Sequence, residues 1–468
     1  MYRLRIFLFV SLSILFFNVS WGQNEKVIIR QIILEGNNHT KNHIILRELD
    51  IREGDTIYFA NIQNQIEANR LRILSTGLFN DAKSNIKNWD SQSNYIDIVF
   101  TLEESWYLYP VPLFELADRS FNVWWKEQNH SFSRVNYGVR FDHFNLTGRK
   151  DRMKVKLQFG YTRKFELKYE FPYLSNNWGL TSEIFYSDNK EIGYKTESNK
   201  TLFYKSPDER KLLFRNRVGA TVHKRTGVHG FQLFKLEFHH NRIDEVIAAE
   251  YNPNYFLDKK QNLRFFALEY DYKYDHRNLR QYPTDGFLLN FNVRKEGLYI
   301  FDDVNILSTF ILGEYYKSYW DKLILSGKIK FKTNLTNSQI PFSNNTGLGY
   351  GEDILAGYEL YVLDGSDYVY FKFLPKFKVL TFNVNFGKYM PLKEMRHWPM
   401  DIYLKGVYNI GYINESSYTA TNYLNNIWLN GYGIGLDFLL FHNYLFTVEY
   451  QLNTYGDKGF FFKSGFKF

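Results

Sequence analysis

Between Arg152 and Tyr161 every second residue is apolar: Met153, Val155, Leu157, Phe159 and Tyr161 alternate with Arg152, Lys154, Lys156, Gln158 and Gly160. An extended strand, whose side chains point to opposite faces with a period of two, sorts such a sequence into one oily and one polar face. The pattern resumes after Thr162 to Lys164, with Phe165, Leu167, Tyr169 and Phe171 set against Glu166, Lys168 and Glu170, which predicts a tight hairpin. Comparable runs recur at 213–223, 231–239, 265–274, 287–294, 323–332, 371–386, 401–413, 432–440 and 445–452, separated by Asn, Gly, Asp and Ser. A soluble sandwich would have to bury all of these oily faces against one another, whereas a closed barrel in a bilayer turns them to lipid. At roughly 20 to 25 residues per strand and connection, the later part of the chain holds about 16 strands, an even number. Residues 106–468 are therefore expected to form a membrane β-barrel of about 16 antiparallel strands.

Composition agrees with that reading and excludes others. The 468 residues include 43 Phe, 37 Tyr and 9 Trp, yet the mean hydropathy is −0.40, so apolar and polar residues are interleaved rather than blocked. Tyr and Trp have a physical place in the girdles at the two bilayer interfaces. Beyond the N-terminus no apolar run reaches the ~20 residues a membrane-spanning helix needs, so a helical transporter is excluded. With no cysteine, disulfides, thiolate metal sites, cysteine nucleophiles and a lipidated-cysteine anchor are excluded as well. No G-x-S-x-G, Walker A or H-E-x-x-H pattern occurs. His39 and His43 stand four apart without a third ligand nearby, and His239 and His240 point to opposite faces of a strand. No catalytic residue, metal or cofactor is expected.

The N-terminal part reads differently. Arg3 and Arg5 precede an apolar stretch from Ile6 to Phe17 and the small-residue flank Ser20-Trp21-Gly22, which predicts a secretory signal peptide over residues 1–22. Residues 23–105 carry nine Lys/Arg against twelve Asp/Glu, so the excess of the chain, +8 overall, sits in the barrel region. A basic exported barrel suits anionic lipid headgroups, lipopolysaccharide among them, and no nucleic-acid partner is expected. In residues 25–105, Val27 to Leu34 reads as a strand and His43 to Leu49 as a short helix. Ile62, Ile66, Ile73 and Leu74 mark a second helix capped at Gly77, and 81–86 and 95–102 two further strands. This β-α-α-β-β order, with Leu34-Glu35-Gly36-Asn37 after the first strand and Thr76-Gly77-Leu78-Phe79 after the second helix, resembles a POTRA domain of BamA/TamA-type outer-membrane proteins. The resemblance implies a periplasmic module that binds extended client polypeptides along a strand edge; a spacer role remains the alternative.

The barrel region carries a matching resemblance. Asp275-His276-Arg277-Asn278, with Tyr282-Pro283-Thr284-Asp285-Gly286, is similar to the D-x-R-x…P-x-x-G turn of the bacterial surface antigen barrel in that superfamily. Asp275, Arg277, Pro283 and Gly286 are the residues that carry it. Gly465-Phe466-Lys467-Phe468 is similar to a terminal β-signal. Where the family has a V-R-G-[FY] tip folded into the lumen, this chain has Ile354-Leu355-Ala356-Gly357-Tyr358, so Ala356 replaces the arginine. The family's F-x-D-x-G partner pattern is best matched by Val407 to Gly411, which puts Asn409 in place of the acid. Losing one member of a poorly solvated ion pair strands the other at a cost of roughly 3 to 5 kcal/mol, whereas losing both is nearly neutral. The loop is accordingly expected in the lumen, held by Gly357, Tyr358 and neutral hydrogen bonds to the strand of Asn409 and Gly411; an ordinary external loop is the alternative.

Pro110 and Pro112 stand two apart in the expected first strand, so both missing N–H groups point to the same neighbour. That neighbour is the second strand or the last strand. The latter is preferred, because it creates an openable seam with Gly465, Phe466 and Phe468. Together these features imply a non-enzymatic factor that inserts or exports clients, with lipids, unfolded polypeptides and other outer-membrane assembly subunits as partners. An accessory subunit of a larger machine and a passive channel are the alternatives.

Overall fold

The computed structural model describes residues 26–90, 94–175, 177–301, 303–320, 322–385, 387–389, 397–415, 421–441 and 444–466. The expected signal peptide and Phe468 lie outside them. The chain divides into two compact units, Met1–Ser105 and Trp106–Phe468.

In the first unit Lys26–Glu35 and Tyr95–Glu104 are the inner strands of a four-stranded sheet, with Thr56–Tyr58 at the edge beside the former and Phe79–Asp90 at the edge beside the latter. The helix Ile62–Ser75 buries Ile62, Ile66 and Ile73, the spacing that marks it in the sequence. Gly77, at φ +73°, ends it in the left-handed region that favours glycine. The short strand Thr56–Tyr58 is missing from the order read in the sequence, since three residues display no usable alternation.

The second unit is a closed barrel. Its strands are β1 (Leu108–Leu116), β2 (Val135–His143), β3 (Arg152–Gly160), β4 (Thr162–Ser175), β5 (Trp178–Asn189), β6 (Leu213–Thr226), β7 (Gly230–Ile243) and β8 (Asn262–Asp275). They continue as β9 (Gly286–Glu296), β10 (Ile306–Tyr319), β11 (Leu323–Asn334), β12 (Asp367–Phe373 and Lys376–Asn385), β13 (His397–Asn414), β14 (Trp428–Leu440), β15 (Tyr444–Asn453) and β16 (Lys458–Phe466). The two segments of β12 are one strand interrupted at Pro375, because the pairings Gly327↔Phe373 and Ile324↔Lys376 keep the same offset. Sixteen antiparallel strands result, in sequence order round the ring, with β16 next to β1.

The alternation seen in the sequence becomes an inside-out protein. Leu236 is 47% exposed while Glu237 beside it is 2% exposed, and Leu289 at 52% precedes Asn290 at 8%. Apolar side chains cover the outer wall and polar ones are buried on the inner wall, an arrangement that lipid stabilises and water would not. Exposed Trp178, Tyr319 and Trp320 lie at the rim where β1 begins and β16 ends, the entry rim; Tyr137, Tyr299 and Trp428 lie at the far rim. Among the described residues no helix is long and apolar enough to cross a membrane.

At the far rim the connection between β5 and β6 forms a hairpin, Glu191–Glu197 with Lys200–Lys205, turned by Ser198 and Asn199 at positive φ. Its tip bonds segments from the opposite side of the ring. Asn199 N donates to Asn422 Oδ1 at 2.9 Å, and Asn199 Oδ1 accepts from Leu424 N at 2.9 Å. Asn199 O accepts from Val362 N, also at 2.9 Å. The hairpin thereby crosses the mouth of the barrel.

Candidate functional site: the lumenal loop and the strand junction

Residues 335–366, between β11 and β12, fold inward through a neck in which Thr346–Leu348 pairs with Leu363–Asp364. At the tip Leu355, Ala356, Tyr358 and Glu359 are 1 to 3% exposed. Small residues on the wall make room for them. A Cβ on Gly431 of β14 would stand 1.7 Å from Ala356 O, and one on Gly411 of β13 2.8 Å from the Leu355 side chain. Gly357 adopts φ +76° with the backbone of Leu452 against it, so the tip needs glycine on both counts. Its N–H donates to Gln451 Oε1 and its carbonyl accepts from Asn453 Nδ2, both at 2.8 Å. Tyr358 donates its hydroxyl to Asn430 O at 3.2 Å. The Asn409 amide, oriented so that both its ends are satisfied, accepts from Ala356 N at 2.8 Å. Ala356 and Asn409 thus meet through a neutral backbone bond, which carries no desolvated charge.

Past the tip the contacts become ionic. Glu359 pairs with Lys463 of β16 at 3.0 Å, and Lys463 pairs with Glu449 of β15 at 3.1 Å. Burial holds the Glu359 carboxyl above the usual range, with Lys463 opposing. Lys405 joins Glu449 to Asp437, 3.6 Å from the latter, and Asp437 accepts the Tyr282 hydroxyl at 2.9 Å. Tyr282 belongs to the turn between β8 and β9, so a polar chain runs along the inner wall from the entry rim to the loop. In that turn Arg277 bonds Asp275 at 2.8 Å and 3.0 Å, and a Cβ on Gly286, at φ +102°, would stand 2.1 Å from His276 O. Pro283 lies between them, directly after Tyr282.

The junction of β1 with β16 has its own geometry. Phe144 N donates to Tyr107 O at 2.9 Å and Ala117 N to Arg134 O at 2.8 Å. In an antiparallel ladder such bonded pairs alternate. With Leu108↔His143 to Leu116↔Val135 in register, the odd-numbered residues of β1 bond β2 and the even-numbered ones face the other way. Pro110 and Pro112 therefore face β16, and two of the five amide positions on that edge of β1 lack a donor. Gly465 and Phe466 pair with Leu445 and Tyr444 on the other side of β16. The connection from β1 to β2 folds over the junction: Asn122 Nδ2 donates to Phe460 O, and the Phe121 ring meets Phe462 edge-on at 6.0 Å.

An Omp85 superfamily domain model matches residues 145–370, which contain the Asp275–Gly286 turn and the loop tip. A POTRA model, described as a surface antigen variable number repeat, matches residues 27–105. The chain belongs to the Omp85 superfamily. As a member of it the chain is an outer-membrane β-barrel with a POTRA domain. Among solved structures it is similar to BamA from Haemophilus ducreyi lacking POTRA domains 1–3, at 13% identity over 94% of this chain and 84% of that one, TM-score 0.53. It is also similar to CdiB from Escherichia coli, at 11% identity over 94% and 76%, TM-score 0.56. These likenesses speak to fold. No curated protein matches the chain.

Sequence reasoning missed Arg119, Glu359 and Lys463. Their partners lie up to 242 residues away, as with Arg119 and Tyr361, and no local pattern marks such a contact.

Proposed function

We propose that this Omp85 protein helps insert or export client polypeptides at the outer membrane without catalysing a reaction, using the β1–β16 junction as the place where a client strand enters. The observation that carries this reading is the β1 edge. Pro110 and Pro112 leave it short of donors where a hydrocarbon environment makes each unmade backbone bond costly, so this is where the wall parts at least cost. The first unit supports it: Phe79–Asp90 is a 12-residue edge strand with one side unpaired by the sheet, a template for an extended client. In this reading the POTRA domain and entry rim are periplasmic, the far rim is extracellular, and the basic barrel contacts anionic lipid such as lipopolysaccharide. One observation favours an accessory role within a larger assembly: Ala356 and Asn409 lack the charges of the family's loop and strand patterns.

The chain has no cysteine, so an engineered pair is unambiguous. Phe114→Cys on β1 is combined in turn with Phe460→Cys and Phe462→Cys on β16. Oxidation is expected to abolish client insertion into liposomes and reduction to restore it; full activity in the cross-linked barrel would refute the junction. Depletion in cells followed by outer-membrane proteomics separates the readings, since an insertion factor lowers many barrels and an accessory subunit only its own complex.

A further inference from the structure

The lumenal loop touches both banks of the junction. Arg119, in the connection that follows β1, donates Nη1 to Gly349 O at 2.9 Å and to Tyr361 O at 2.8 Å, and Nη2 to Leu360 O at 3.4 Å. One planar guanidinium thus ties both arms of the loop's neck to the β1 side. On the β16 side, Glu359 pairs with Lys463 at 3.0 Å, and Tyr361 donates its hydroxyl to Asp457 Oδ2 at 2.8 Å, just before the strand begins. Asp457 is itself held by Asn453 Nδ2 at 3.0 Å. Within three consecutive residues, the Glu359 side chain reaches the last strand, the Tyr361 side chain the turn that leads into it, and the Leu360 and Tyr361 carbonyls the first strand's connection. The tip behind them is fixed on the Gly431 and Gln451 wall, so the segment cannot follow either bank freely.

We propose that Glu359–Tyr361 is an internal latch across the β1–β16 junction, with Arg119, Glu359 and Tyr361 as positioning residues that keep the wall closed until the loop shifts. The inference rests on the junction reading above and adds its control. Separating β1 and its connection from β16 breaks the Asn122 bond to Phe460 O that the same connection makes, together with either the Arg119 bonds or the Glu359 and Tyr361 bonds, because one short backbone segment holds both of the latter sets. The arginine absent at position 356 is thereby offset by one that approaches from a different connection and grips carbonyls instead of a carboxylate.

Amide hydrogen exchange on the full-length protein in lipid nanodiscs reads the latch without any client. Arg119→Ala, and separately Glu359→Gln with Tyr361→Phe, are expected to speed exchange in Leu108–Leu116 and Lys458–Phe466 at least tenfold while β7 and β8 stay unchanged. Arg119→Lys, which keeps the charge but not the fork, is expected to fall between. Tyr361→Phe alone deletes one hydroxyl and keeps the fold testable, with a smaller rise in the same strands. Unchanged exchange in β1 and β16 would overturn the latch, as would a uniform rise in all strands, which marks a merely structural role. Should the junction loosen as expected while client insertion stays at the wild-type rate, the latch stands and the junction reading of function falls.

Discussion

At the scale of single residues, Asp97 shows how the N-terminal unit spends a charge. It sits on the strand parallel to Lys26–Glu35, buried at 2% side-chain exposure, opposite a register shift between Ile29 and Gln31 that frees Arg30 to reach it. Arg30 Nε donates to Asp97 Oδ1 at 2.8 Å and Asn88 Nδ2 to Oδ2 at 2.7 Å. These hydrogen bonds hold the Asp97 carboxyl below the usual aspartate range, Arg30 contributing most. A lowered folded pKa stabilises above the ordinary value and loses that contribution as pH falls through the folded value. Asp97→Asn should lower the unfolding free energy of segment 23–105 by about 1 to 2 kcal/mol at pH 7, the modest end for charged hydrogen bonds because Arg30 is half exposed. The gap between variant and wild type should narrow toward pH 3, measured by urea titration of the Trp89 fluorescence, and a gap constant with pH would assign the loss to shape instead of charge.

At the scale of elements, the barrel strands were legible because each faces two different environments, which imprints a period of two on the sequence. The exceptions have physical reasons. The rim hairpin Glu191–Glu197 with Lys200–Lys205 buries Ile192 and packs Tyr194 and Tyr204 against an apolar cluster, but a register shift between Gly193 and Lys195 breaks the alternation, and the strands are too short and too charged to announce themselves. Strand β12 looked continuous, and its interruption at Pro375 is absorbed by Leu374 N donating to Ser326 O at 2.8 Å. The loop tip was legible through a departure from the family pattern, whereas its ties to Arg119 and Lys463 depend on closure of the ring and leave no local trace. Wall glycines show the same split. Gly431 faces the loop and Gly313 faces lipid, where a Cβ would meet Ile329 Cγ2 at an ordinary 3.4 Å. Gly431→Ala should lift the tip and open Tyr358 to chymotrypsin, and Gly313→Ala should leave the digest and the unheated gel mobility unchanged. Equal resistance in both variants would mean that the tip does not need the space at Gly431.

At the scale of the whole molecule, the question is what fills the ring. A closed sheet of 16 strands is wide enough to leave an aqueous channel if nothing else enters it. Among the described residues several segments do. The loop tip occupies the wall of β13 to β15, and the turn between β8 and β9 sends Tyr282 across to Asp437 and against the Tyr403 ring at 4.9 Å. The rim hairpin spans the mouth, and its Ile192 packs with Leu212, Ile247, Phe256 and Leu263 in an apolar cluster. A passive channel gains nothing from a packed cap, whereas a wall that works at its junction needs the lumen closed to leakage. Wild-type protein in planar bilayers should therefore conduct far less than an open ring of this size. Replacing 193–203 with two glycines removes the hairpin tip while leaving every barrel strand intact, and it should raise the conductance several-fold. Deleting the hairpin and widening the path at Tyr282 with Tyr282→Ala should raise it further, because the two obstructions lie at opposite rims in series and the remaining one limits flow. If the hairpin deletion leaves conductance unchanged and Tyr282→Ala alone opens the pore, the closure resides at the entry rim, and the cap serves the loop neck through Asn199 instead of the channel.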